Sequence, residues 1–120
     1  MKIAITSKGT DLSSEVDPRF GRAQYFIIYD TKSSQYQPLD NSINLNALQG
    51  AGIQSAKNIV DMGVEALITG NVGPKAFSTL QSAGIRVFIG AAGTVEDALQ
   101  QFQSGTLQES TSSNVQGHWM

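Results

Sequence analysis

Three glycines, Gly63, Gly84 and Gly105, stand just past three amphipathic stretches, and the first two are followed at once by Val64 and Ile85. A left-handed residue in that place closes the last turn of a helix. The pattern predicts helices from about Ala51 to Met62, Pro74 to Ala83 and Val95 to Gln103, with strands at Ala66–Thr69 and Arg86–Ile89 between them. The last helix carries the strongest local signals. Val95, Ala98, Leu99 and Phe102 fall at i, i+3, i+4 and i+7 and form one apolar stripe, expected to be buried against the sheet. Thr94 with Asp97 three residues on reads as a capping box, with Asp replacing the usual Glu. Pro74 suits the first position of the second helix, where its missing N–H would be unpaired in any case.

The first 40 residues follow a different rhythm. Lys2–Thr6 alternates and is β-branched, Tyr25–Tyr29 is a dense apolar run, and Gln35–Leu39 is a weaker third strand. Asp30-Thr31-Lys32-Ser33-Ser34 is turn chemistry, so strands two and three form an antiparallel hairpin. Pro38 cannot donate to a ladder, which puts the third strand at an edge. The order βββαβαβα joins a hairpin to right-handed βαβ crossovers. The expected fold is a three-layer α/β/α sandwich around a mixed five-stranded sheet of order 3-2-1-4-5, with strand 2 antiparallel. Residues 1–107 read as one domain and residues 108–120 as a polar C-terminal tail.

In such a sheet the first and fourth strands are parallel neighbours whose connections diverge, and ligands bind beyond the carboxyl ends of strands at such a switch point. Three loops converge there: Ser7–Arg22, Gly70–Gly73 and Gly90–Gly93. The first offers the guanidinium groups of Arg19 and Arg22, the ring of Phe20 and the close backbone approach of Gly21. That combination can hold an anion. It can equally be a surface loop whose arginines pair with Asp17 or Asp11 while Phe20 fills the edge of the core. The second loop, Gly70-Asn71-Val72-Gly73, ends a strand and opens a helix at Pro74-Lys75, so its free N–H groups suit an anion too. It is not a P-loop, because Lys75 follows Pro74 and precedes Ala76. Gly50-Ala51-Gly52 reads the same way at the first helix start, or as tight packing of that helix on the sheet.

Composition removes other chemistries. The chain has no cysteine and one histidine, which excludes disulfides, thiolate metal sites and a cysteine nucleophile. The histidine, His118, stands in the tail beside Trp119, where a single imidazole builds no zinc site. It is read as inert, or as an end that folds back as a ligand or aromatic lid. No base is placed to serve a Ser-His-Asp triad. The first strand carries no carboxylate for two-metal ribonuclease H chemistry. Eight Lys+Arg against ten Asp+Glu argue against nucleic acid. No apolar stretch is long enough for a bilayer. A cytoplasmic, non-enzymatic binding protein whose folding needs no metal is the expectation.

The motifs taken in order carry a resemblance. Asp17-Pro18-Arg19-Phe20-Gly21-Arg22-Ala23 with Tyr25-Phe26-Ile27-Ile28-Tyr29-Asp30, then Gly50-Ala51-Gly52, Gly70-Asn71-Val72-Gly73-Pro74, Ala83-Gly84-Ile85 and Gly93-Thr94-Val95-Glu96-Asp97-Ala98 resemble the dinitrogenase iron-molybdenum cofactor biosynthesis family of nitrogenase accessory factors. The resemblance runs from Met1 to about Leu107. It implies a ribonuclease H-like fold and a carrier for an anionic metal-sulfur cluster, of iron-molybdenum or molybdenum-copper sulfide type. Cluster donor or acceptor proteins are the implied partners. Many members carry a histidine where Arg19 stands. With cysteine absent as well, the chain looks similar to the orange protein subgroup, which holds a molybdenum-copper sulfide cluster non-covalently. The implied site residues are Arg19, Phe20, Gly21, Arg22, Gly70, Asn71, Val72 and Gly73. The rival reading is a cluster-free regulatory or scaffold protein that uses the same crevice for a protein partner or a small phosphate-bearing ligand.

Overall fold

Strand residues alternate cleanly between two cores. In the computed structural model, which describes residues 1–42 and 50–111, β1 (Lys2–Ser7), β2 (Tyr25–Asp30), β3 (Tyr36–Asp40), β4 (Ala66–Ile68), β5 (Arg86–Ile89) and β6 (Gln108–Ser110) form one sheet of order β3-β2-β1-β4-β5-β6. Ala4, Phe26, Ile28, Leu67 and Val87 face one way, toward helices α1 (Ala51–Asp61) and α2 (Pro74–Ser82). Ile3, Ile5, Ile27, Ala66, Ile68 and Phe88 face the other way, toward α3 (Val95–Gln103). The result is the expected α/β/α sandwich, with period-2 strands serving both layers.

β1 pairs antiparallel with β2 and parallel with β4, and β4 is parallel to β5. β3 lies at the edge, with Pro38 opposite Ile27. The hairpin turn is held by Asp30, which accepts from the backbone amides of Lys32 (side chain, 2.9 Å) and Ser34 (carbonyl, 2.8 Å). All three glycine stops have positive φ, at 76° for Gly63, 78° for Gly84 and 76° for Gly105. The capping box forms: the Asp97 amide donates to the Thr94 hydroxyl at 3.1 Å, and the Thr94 amide to the Asp97 carboxylate at 3.0 Å.

Two expectations need correction. The sheet has six strands, because β6 adds antiparallel to β5 in the stretch read from sequence as the start of the tail. Gln108-Glu109-Ser110 has no apolar alternation to announce a strand. Its ladder is joined by a two-pronged ion pair, in which Arg86 donates to Glu109 at 3.2 and 2.6 Å. That bond holds the Glu109 carboxyl below its ordinary range. Residues 112–120, including His118 and Trp119, lie outside the described residues. Phe102 is the second correction: Val95, Ala98 and Leu99 are buried, whereas Phe102 is only partly so and packs edge-on against Phe88 at 4.9 Å between ring centroids. Phe102→Ala is therefore expected to cost about 2 kcal/mol, below the range for a fully buried ring. A chemical denaturation midpoint measures it.

Among the described residues, no helix is long and apolar enough to cross a membrane.

Candidate functional site

The loop after β1 wraps the end of the sheet. It gives Val16 to the α3 side and Phe20 and Ala23 to the α1/α2 side. At the switch point, the Thr6 hydroxyl donates to the Asp17 carbonyl at 2.6 Å and hydrogen-bonds the Thr69 hydroxyl at 3.0 Å. The first two predicted loops are then stitched together. The Asn71 amide donates to the Pro18 carbonyl at 2.8 Å, and the Phe20 amide to the Asn71 carbonyl at 3.2 Å. Gly70 permits this, since a Cβ there would lie 2.8 Å from Pro18 Cα and O.

The third predicted loop has a different role. The Gly93 carbonyl accepts from Val16 at 2.9 Å, and the first amides of α3 are consumed by the chain itself: Val95 donates to Ser14 at 2.8 Å and Glu96 to Leu12 at 2.9 Å. With the capping box added, the start of α3 is satisfied. It also carries Glu96 and Asp97 in its first turn, which oppose an anion there.

The other two described helices begin without such protection. The N-caps of α1 and α2 are Gly50 and Gly73, neither start has a capping side chain, and neither first turn contains an acid. Both starts open onto one pocket of about 620 Å³, lined by Phe20, Gly21, Gly50, Gly52, Ile53, Asn71, Gly73, Pro74, Lys75 and Ala76. That volume suits a small ligand. Among the described residues, the first-turn amides of both helices have no capping side chain and their positive ends face the same space, and the Lys75 ammonium is the one charged side chain in the lining. The wall is drawn tight by glycine. A Cβ on Gly21 would lie 2.8 Å from both N and Cα of Gly52, and one on Gly52 would lie 3.1 Å from the Ala76 Cβ.

The predicted site residues divide. Phe20, Gly21, Asn71 and Gly73 line the pocket, whereas Arg19, Arg22, Gly70 and Val72 are absent from its lining. Val72 is a core residue, buried with Phe20 between sheet and helices. Arg19 is ion-paired at 3.3 Å to the buried carboxylate of Asp17, which also accepts the Arg19 amide at 3.0 Å. This is the arginine pairing weighed against anion binding from sequence. The lining residues left off the predicted set are Gly50, Gly52, Ile53, Pro74, Lys75 and Ala76. Their signal was present in the Gly50-Ala51-Gly52 helix start and in a lysine one residue inside the helix opened by Pro74.

Fold and pocket together define a three-layer, ribonuclease H-like α/β/α protein with a ligand-sized cavity beside its switch point. The chain belongs to the dinitrogenase iron-molybdenum cofactor family, whose sequence profile matches residues 1–105. It is similar to the orange protein of Desulfovibrio gigas, solved in its apo form, with 39% identity and a TM-score of 0.92 over 95% of this chain and 96% of that one. A NifB-like protein of Thermotoga shares 44% identity with a TM-score of 0.84, over 95% and 97% of the two chains. An uncharacterised protein of Methanocaldococcus jannaschii is 32% identical over 112 residues, 91% of either chain.

Proposed function

We propose that this protein binds and carries an anionic metal-sulfur cluster of iron-molybdenum or molybdenum-copper sulfide type, held without covalent bonds between the starts of α1 and α2. The observation that carries the reading is the contrast among helix N-termini. Among the described helices, the start away from the pocket is capped and acidic, while the two facing it are glycine-capped and free of acid. Family membership and the likeness to the orange protein support the choice of cargo. Cluster donor or acceptor proteins are the partners this role requires.

The energetics suit a carrier. At an effective dielectric of ~20 and ~5 Å, each unit-charge pair contributes about 3 kcal/mol before desolvation. One ammonium, two helix ends and several amides can then leave a net of about 8 kcal/mol, which is micromolar binding. Cargo held at that strength can be passed on.

Among the charged side chains, Lys75 carries the reading. Titration with tetrathiomolybdate, with and without copper(I), followed by visible absorption, is expected to show affinity falling about tenfold for Lys75→Ala. Arg19→Ala should lose less, since its charge is already matched by Asp17, and Arg22→Ala tests the adjoining position on the same loop. Equal binding by wild type and Lys75→Ala would move the site away from α2. The cluster-free rival predicts no thiometallate binding in any of these proteins.

A further inference from the structure

We infer that Asn41 and Ser55 are positioning residues: their buried side chains fasten the loop that carries Phe20 and Gly21 to α1, and so hold one wall of the pocket in place. This rests on the cluster-binding reading above and adds to it residues that act on the cargo only through the wall. Ser55 is 0% exposed and Asn41 1%. Ser55 stands one turn past the start of α1. In a helix interior a serine hydroxyl commonly bonds back to the carbonyl four residues earlier, whereas this one reaches off the helix. It donates to the Gly21 carbonyl at 3.3 Å and to Asn41 Oδ1 at 3.2 Å. A hydroxyl has one proton, so the two acceptors share it, at distances longer than the usual value of about 2.8 Å. Asn41, the residue after β3, completes the tie. Its carboxamide donates to the Ala23 carbonyl at 2.8 Å and its backbone amide to the Gln24 carbonyl at 2.9 Å.

Stability alone does not account for a polar pair at this depth. Apolar groups of the same shape in place of both partners are nearly neutral for folding. What the pair supplies is direction, because its bonds are satisfied only when the loop, α1 and the end of β3 keep one arrangement. That arrangement is the pocket wall. Gly21 lies so close to α1 that a Cβ on it would sit 2.8 Å from N and Cα of Gly52, and both glycines line the pocket beside Phe20. The carbonyls of Gly21 and Ala23 are thus anchored on either side of Arg22, one to α1 and the other to the end of β3. A wall held before the cargo arrives does not have to be ordered when it binds, and the affinity is higher for it. Without the Ser55 hydroxyl, contact alone keeps Gly21 on α1, while the ladders of the sheet stay as they are.

The test is a tetrathiomolybdate titration of wild type, Ser55→Ala, Asn41→Ala, the double variant and Phe102→Ala, with a urea midpoint for each. Ser55→Ala should bind about fivefold more weakly than wild type and Asn41→Ala about tenfold. The double variant should stay within about twofold of Asn41→Ala alone, because the two side chains act through one network. Phe102→Ala loosens the opposite layer of the sandwich, so it should lose stability and keep wild-type affinity. That contrast separates positioning from a merely weaker fold. Alanine is the best helix former, so Ser55→Ala stays folded and decides the matter against Phe102→Ala even if Asn41→Ala does not fold. Wild-type affinity in Ser55→Ala, or equal losses in Ser55→Ala and Phe102→Ala, would overturn the inference and leave the cluster site standing. Losses that multiply in the double variant would also overturn it, by showing two independent effects. Absence of thiometallate binding to wild type would instead remove the cluster-binding reading, and this inference with it.

Discussion

Gly73→Asp should lower affinity for tetrathiomolybdate by about 100-fold while the protein melts no earlier than wild type. Gly73 is the N-cap of α2 with φ −79° and ψ 170°, an extended conformation open to any residue, and a Cβ there would meet nothing within 4 Å. Aspartate at an N-cap accepts from the second or third helical amide, here Lys75 or Ala76, and is preferred over glycine by a few tenths of a kcal/mol. The new carboxylate takes up the donors proposed to hold the cargo. It also adds a negative charge about 5 Å from a dianion, with a repulsion of about 3 kcal/mol per charge pair before solvent screening. Most substitutions that abolish binding also weaken the fold. This one separates the two, because the same carboxylate improves the helix and fills the site. Isothermal titration and a thermal melt on one preparation measure both effects.

The second large effect is expected at Gly21. An alanine there would place its Cβ 2.8 Å from two backbone atoms of Gly52, and backbone at the start of a packed helix has no side-chain rotamer with which to yield. The loop must move off α1 or α1 off the sheet, at a cost of about 1–3 kcal/mol by analogy with overpacked cores. Phe20 moves with the loop, and with it one wall of the pocket, since its ring packs at 5.4 Å from Phe26 in the core beneath. Gly21→Ala should thus lose both stability and affinity. Urea denaturation beside a thiometallate titration would show the two falling together, in contrast to Gly73→Asp.

How much of this could be read from the sequence follows from how local each signal is. α3 was legible to the residue, since Thr94, Asp97 and the Val95–Leu99 stripe lie within one short segment. The hairpin and the edge position of β3 followed from Pro38 and the Asp30 turn. β6 was not legible, because its place in the sheet depends on pairing Gln108–Ser110 with Val87–Ile89 across the whole of α3. The meeting of the loops at the switch point was predicted by topology, and the backbone bonds between Pro18–Phe20 and Asn71 realise it. What topology could not supply was side-chain direction. Arg19 has the composition of an anion ligand, yet its nearest carboxylate, Asp17, lies two residues away and takes the charge. Lys75 breaks a nucleotide-binding pattern in the sequence, whereas its place inside α2 puts it at the pocket.

The most direct test of the central claim is an amide-resolved NMR titration of the isotopically labelled protein with tetrathiomolybdate, a diamagnetic dianion. The largest shifts are expected at Gly52 and Ile53 of α1 and at Lys75 and Ala76 of α2, with Gly21 and Asn71 following and the capped start of α3 unmoved. Shifts centred instead on the Thr94–Asp97 turn, on the loop of Lys8 to Glu15, or on the tail around His118 would contradict an anion held between the two glycine-capped helices.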